Sequence, residues 1–206
     1  MKRLCVFFLV IALLSSVFVS CDRSYNEEEV KVAARELLEK SLLVNEIFYG
    51  RGIPYDANSE FTKGNYSPAD KEYLSALGVN TTDGLKRLAK EVYTTELCEI
   101  IFKTKLSPVK DGEEGSVVSV KRYYDASQKD GGNLMVYTAA VPVYDNEIEY
   151  LYETLTVIGA DGEFIKIEID VLLKNKIGEE RTTRIDLLIL EEDDGFRLDG
   201  WSFVKY

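Results

Sequence analysis

The chain has no histidine, and only three cysteines and one tryptophan, in 206 residues. Without histidine, the Ser-His and Cys-His catalytic arrangements are excluded, as are HExxH zinc proteases and His-ligated zinc sites. Only Cys98 stays free if the first two cysteines serve a leader and a lipid, and one thiol is too few for a thiolate metal cluster. Positive charge is also short. Lys and Arg number 25 against 36 Asp and Glu, giving a net charge of -11 and a pI near 4.7. Such a chain has no basic footprint for nucleic acid. An anionic membrane repels its body, and a basic partner is favoured. The apolar run Leu4 to Val19 falls short of the ~20 residues that span a bilayer comfortably.

That run belongs to a leader. Lys2 and Arg3 form a positive start, Val6 to Leu14 an apolar middle, and small residues lead to Ser20-Cys21. This is the layout of a secretory signal peptide. The junction resembles a bacterial lipobox, although Phe18 stands where an aliphatic residue is usual. The resemblance implies cleavage after Ser20 and lipidation of Cys21. An uncleaved anchor, or plain secretion with a coincidental cysteine, are the alternatives. Acyl chains contribute ~0.8 kcal/mol per buried CH₂ and would hold the protein at the bilayer surface. Loss of Lys2 and Arg3 takes the side-chain charge to -13. Cys5 leaves with the leader, so the lipidated form has only Cys98 free and forms no intrachain disulfide. Cys98 lies beside Leu97 and one turn before Ile101 and Phe102, which predicts a buried, inert thiol.

The N-terminal half has a helical period. Asn26 with Glu29 resembles a capping box, and Val30, Ala33, Ala34, Leu37, Leu38, Leu42 and Ile47 recur at helical spacing towards Gly50 and Gly52. Residues 53–66 read as a loop. Ser67-Pro68-Ala69-Asp70 reads as a helix start with proline at the first helical position, and Gly78 as its stop. Thr81 or Thr82 caps the next helix. Thr94 predicts a bend and a further helix through Phe102 or Lys103. A linker at 107–116 follows, and the period then changes to two. SVKRYY and NLMVYTA read as a hairpin, and ETLTVIG pairs with FIKIEIDVLLKNK. RTTRIDLLILEE and GFRLDGWSF continue an antiparallel meander. Helices first and long antiparallel strands second is an α+β pattern. N-terminal helices packed on a curved antiparallel β-sheet, as in cystatin-like and NTF2-like folds, are the natural architecture. The organisation is a signal peptide at 1–20, a lipidated N-terminus and short tether at 21–29, and one α+β domain at 30–206.

Phe48 to Gly52 (FYGRG), residues 83–102, Arg122 to Tyr124 (RYY) and the terminal GFRLDGWSF (195–203) together resemble the exported Firmicutes proteins related to IseA. These inhibit DL-endopeptidases, the Cys-His enzymes that cut cell-wall peptide stems. The resemblance covers most of residues 30–204 and is one of pattern and order. It implies a binding module rather than an enzyme, and carries no contact residue over to a numbered position.

Other chemistry has a plainer reading beside it. Glu191-Glu192-Asp193-Asp194-Gly195 lacks the ligand spacing of a calcium loop and reads as a solvated turn. Asp125 and Asp130 around Gly131-Gly132 read the same way. Asn80-Thr81-Thr82 matches a glycosylation sequon, but Thr at a helix cap explains it. Tyr123, Tyr124, Tyr137, Tyr144, Tyr150 and Tyr152 are either an aromatic contact surface or strand packing, and packing is favoured for most. Trp201 is expected as a core anchor. Glu168 and Asp186 sit with polar neighbours, away from the apolar stripe.

The expectation is therefore a lipid-anchored lipoprotein on the extracytoplasmic face of the cell membrane. It binds a partner such as a cell-wall hydrolase, and uses no catalytic residue, metal or cofactor. An NTF2-like lipoprotein with a small ligand, or an enzyme, in the cavity between helices and sheet is the alternative. The oligomeric state is open.

Overall fold

The computed structural model describes residues 25–106, 121–126 and 132–206. Helix α1, Glu27–Phe48, opens where the Asn26 side chain accepts a hydrogen bond from the Glu28 amide at 3.1 Å. Glu27, Glu28 and Glu29 in its first turn complement the positive end of the helix dipole. Its buried stripe includes Val30, Ala34, Leu37, Leu38, Val44 and Ile47. Strand β1, Tyr66–Pro68, follows an irregular segment. Pro68 thus lies in a strand rather than in the first turn of a helix. The reason is local. Asp70 takes the capping role, accepting from the Tyr73 amide at 2.8 Å, so helix α2 starts only at Lys71 and runs to Leu77. Proline is tolerated because β1 is an edge strand. Gly78, with φ +66°, ends α2 as expected.

Helix α3, Thr82–Lys90, is capped by Thr81, which accepts from the Gly84 amide. Helix α4, Thr95–Ile101, follows a bend at Thr94 and runs into a π-helical turn, Phe102–Leu106. Thr94 sits at the cap position but caps with no side-chain bond. Its hydroxyl donates to Asp199 at 2.7 Å, and Glu192 accepts from the Thr95 amide instead.

Strands β2 (Tyr123–Asp125) and β3 (Leu134–Tyr137) form the expected antiparallel hairpin. They do not join the meander. β1 pairs with the other side of β3, with Tyr66 opposite Tyr137, and closes a three-stranded sheet in the order β1-β3-β2. The meander is a second, four-stranded antiparallel sheet: β4 (Glu147–Asp161), β5 (Phe164–Lys174), β6 (Glu180–Glu192) and β7 (Gly195–Leu198). Residues 199–206 leave the sheet and run back as an irregular segment. In β5, Ile165, Ile167, Ile169, Val171 and Leu173 are all buried, on the face that the period of two assigns to the core. The fold is α+β, with helices packed against the four-stranded sheet, and α1 lies on β4 and β7.

Candidate functional site

The polar chemistry of the interior gathers at the C-terminal end of α1. The last carbonyls of a helix lack partners within it. Here Arg122 supplies them. Its Nη1 donates to the Phe48 carbonyl at 3.2 Å and its Nη2 to the Gly50 carbonyl at 2.6 Å. The Tyr123 hydroxyl donates to the Ile47 carbonyl at 2.6 Å and accepts from the Ile53 amide at 3.1 Å. A cation suits the negative end of the helix dipole. Arg122 is 6 % exposed, and its Nε has no partner among the described residues. The chain passes close beneath it at Gly52, whose φ of +90° favours glycine.

One turn deeper, Asn45 and Ser41 interrupt the apolar stripe of α1. Both are fully buried and both are bonded. The Tyr93 hydroxyl donates to Asn45 Oδ1 at 2.6 Å, Asn45 Nδ2 donates to Ser202 Oγ at 2.8 Å, and Ser202 Oγ donates to Ser41 Oγ at 2.8 Å. The Tyr150 hydroxyl donates to the Ser202 carbonyl at 2.9 Å. Burial raises the hydroxyl pKa of Tyr93 and of Tyr150, which keeps both as donors. Above this network Phe203 stacks between Tyr49 and Tyr144, with centroids 4.9 and 5.2 Å away, and Trp201 meets Tyr49 and Tyr93 edge-on. Lys105 lies over the Tyr49 ring at 4.9 Å. Burial, then the charge of Arg122, lowers its pKa.

The FYGRG, RYY and GFRLDGWSF segments, far apart in sequence, therefore meet at one place, together with Tyr93 of the 83–102 stretch. Their contacts are with one another and with interior neighbours such as Asn45, Ile53 and Tyr144. Arg122, Asn45 and Ser202 were not legible as a network. The available signal was a polar pair, Ser41 and Asn45, four residues apart on an otherwise apolar helix face.

The other singled-out residues have structural partners. Cys98 is buried and free, its thiol donating to the Tyr93 carbonyl, and burial raises its pKa to about 11. Trp201 is half-buried against the core, as an anchor. Tyr123, Tyr144 and Tyr150 are core residues, while Tyr124, Tyr137 and Tyr152 are partly exposed. Asp125 accepts from the Thr82 amide and hydroxyl at 2.9 and 2.6 Å, tying β2 to the start of α3. Asp194 pairs with Arg197 at 2.7 Å. On the solvated sheet face Lys166 bridges Asp186 and Glu168. Among the described residues no group of three His, Cys, Asp or Glu gathers to hold a metal ion, and no helix is long and apolar enough to cross a membrane. Cys21, Asp130 and the 107–116 linker lie outside the described residues.

Clefts open on the outside of the molecule. One of about 490 Å³ lies between the end of α1 and the start of β4, with Leu42, Pro142, Tyr144 and Ile148 among its lining residues. Another, of about 650 Å³, lies between α2 and β3. A smaller one of about 240 Å³ lies at the opposite end of α1, beside Asn26 and Glu29. No protein-family model, curated protein or solved structure matches the chain.

Proposed function

We propose that the protein is a lipoprotein, anchored through Cys21 on the extracytoplasmic face of the membrane, that acts as a binding module and restrains a cell-wall DL-endopeptidase by covering its active cleft. One observation carries this reading. The space between α1 and the four-stranded sheet is filled. Leu38, Ile167 and Leu173 are fully buried there, and the polar groups among them, Asn45, Ser41, Tyr93 and Ser202, satisfy one another. A ligand between helices and sheet would need that space, so recognition falls to the outer surface. The Cys21 anchor would put the start of α1 near the bilayer. Three carboxylates in its first turn would be repelled by an anionic surface, which favours a domain that projects outward.

The test is a wall-digestion assay with several Cys-His hydrolases of the same organism. Stoichiometric slowing of one of them, weakened by salt as an acidic surface requires, supports the reading. Digestion that is unaffected at high molar excess of folded protein removes the inhibitor.

A further inference from the structure

The four-stranded sheet has one long outer strand. β4 pairs with β5 on one side, and among the described residues no strand pairs with it on the other. Its regular stretch is short. Leu151 is opposite Asp170 and Thr156 opposite Glu168, so β4 advances five residues while β5 advances two. This bulge breaks the edge, as native sheets commonly do to discourage unwanted pairing. Glu147–Leu151 remains regular, paired to Lys174–Asp170 with unbroken register.

That stretch has two distinct faces. Glu147 and Glu149 are exposed, with no ion pair to a described residue, whereas Tyr150 is buried and Ile148 packs against the core. The 490 Å³ cleft opens at the start of that stretch, where Glu147 and Ile148 line it with Leu42 and Pro142, and its cations Arg51, Lys174 and Lys176 are already paired to Glu46, Glu180 and Asp145. The whole strand carries Glu147, Glu149, Glu153 and Asp161 and no basic residue. Self-pairing of two copies, antiparallel about Glu149, would set carboxylate against carboxylate, which is destabilising. A lysine-bearing or arginine-bearing strand would meet opposite charge.

Building on the binding-module reading, we infer that the Glu147–Leu151 edge and the cleft beside it dock an extended basic segment of a partner protein. The segment adds as a strand, its backbone bonding the free edge. Alternate Lys or Arg side chains face Glu147 and Glu149, and the intervening apolar side chains enter the cleft.

The test uses the full chain and two blocked pentapeptides, Lys-Val-Lys-Val-Lys and Glu-Val-Glu-Val-Glu, followed by amide chemical shifts. The basic peptide should move the 147–151 amides and the cleft residues, and the acidic one should not. Glu147→Lys with Glu149→Lys should weaken the basic peptide roughly tenfold, the scale of two exposed ion pairs, with the amide shifts away from the edge unchanged. N-methylation of alternate peptide amides should abolish docking. Equal binding of both peptides, shifts elsewhere, or indifference to N-methylation would overturn the inference. So would a concentration-dependent dimer that protects the 147–151 amides, which would assign the edge to a second copy. Docking without effect on any hydrolase would remove the inhibitor while leaving this site standing. Hydrolase inhibition that survives both lysine substitutions would do the reverse.

Discussion

Gly52 passes so close to Arg122 that a Cβ on the glycine would lie 2.5 Å from Nη2 of the arginine. The same Cβ would lie 2.9 Å from the Tyr123 hydroxyl. Two residues that seal the end of α1 thus depend on a missing side chain in the turn that follows it. Gly52→Ala should destabilise the fold by more than ~1 kcal/mol, since it combines positive-φ strain with displacement of two hydrogen-bonding groups. Tyr123→Phe should cost ~1–3 kcal/mol, because it strands the Ile47 carbonyl and the Ile53 amide. Denaturant unfolding measures both. Wild-type stability in either variant would contradict the sealing role.

Ser202 ties the returning C-terminal segment to α1. Ser202→Ala should cost ~1–3 kcal/mol by leaving Asn45 Nδ2 without its acceptor in a buried site. Coupling of that change with Asn45→Ala, measured as a double-mutant cycle, should be strong, because the two side chains share one bond. Additive losses would mean that they act independently.

Cys98 should label slowly. Burial holds its thiol at about 11 against an ordinary 9.0, so ionisation alone lowers the thiolate fraction at pH 8 roughly a hundredfold. Steric shielding lowers the rate further. A thiol reagent should react far faster in denaturant than with the native protein, and equal rates would refute the burial.

Arg184 grips Asp170 across the β5–β6 pair, Nε to Oδ1 at 2.7 Å and Nη2 to Oδ2 at 3.1 Å. The hydrogen bond and charge of Arg184 hold the Asp170 carboxyl below its ordinary value of 3.8. A carboxyl whose pKa is depressed by folding stabilises the native state above its unfolded pKa. That contribution is lost as pH falls through the lower native value. Asp170→Asn should therefore lower stability at neutral pH and flatten its decline below pH ~4. Thermal melts between pH 7 and 2.5 measure this, and an unchanged acid limb would contradict it.

Cys21→Ser should move the protein from the membrane fraction or leave it unprocessed. Fractionation and migration like those of the parent would remove the anchor from the proposal.

Helix α1 and strand β5 were legible because each repeats its own period, 3.6 or 2, over many residues with one wet face. The caps at Asn26, Thr81 and Gly78 were legible for a similar reason, since each acts within a few residues of itself. Pro68 is ambiguous in the sequence because a helix start and an edge strand both accept proline, and only pairing of Tyr66 with Tyr137 decides between them. Thr94 is legible as a bend but not as a partner of Asp199, 105 residues away.

The sequence by itself determined the class of fold, the burial of Cys98, the exclusion of histidine chemistry and the acidic character of the surface. All of these follow from composition or from local periodicity. Only the tertiary structure decided that Arg122 and Tyr123 close α1, that Ser202 bonds with Asn45, and that β1 turns a hairpin into a second sheet. It also decided that, among the described residues, no strand pairs with the outer side of Glu147–Leu151. These are matters of which groups remain unpaired once the chain has folded, and a backbone carbonyl or a strand edge finds its partner through space rather than along the sequence.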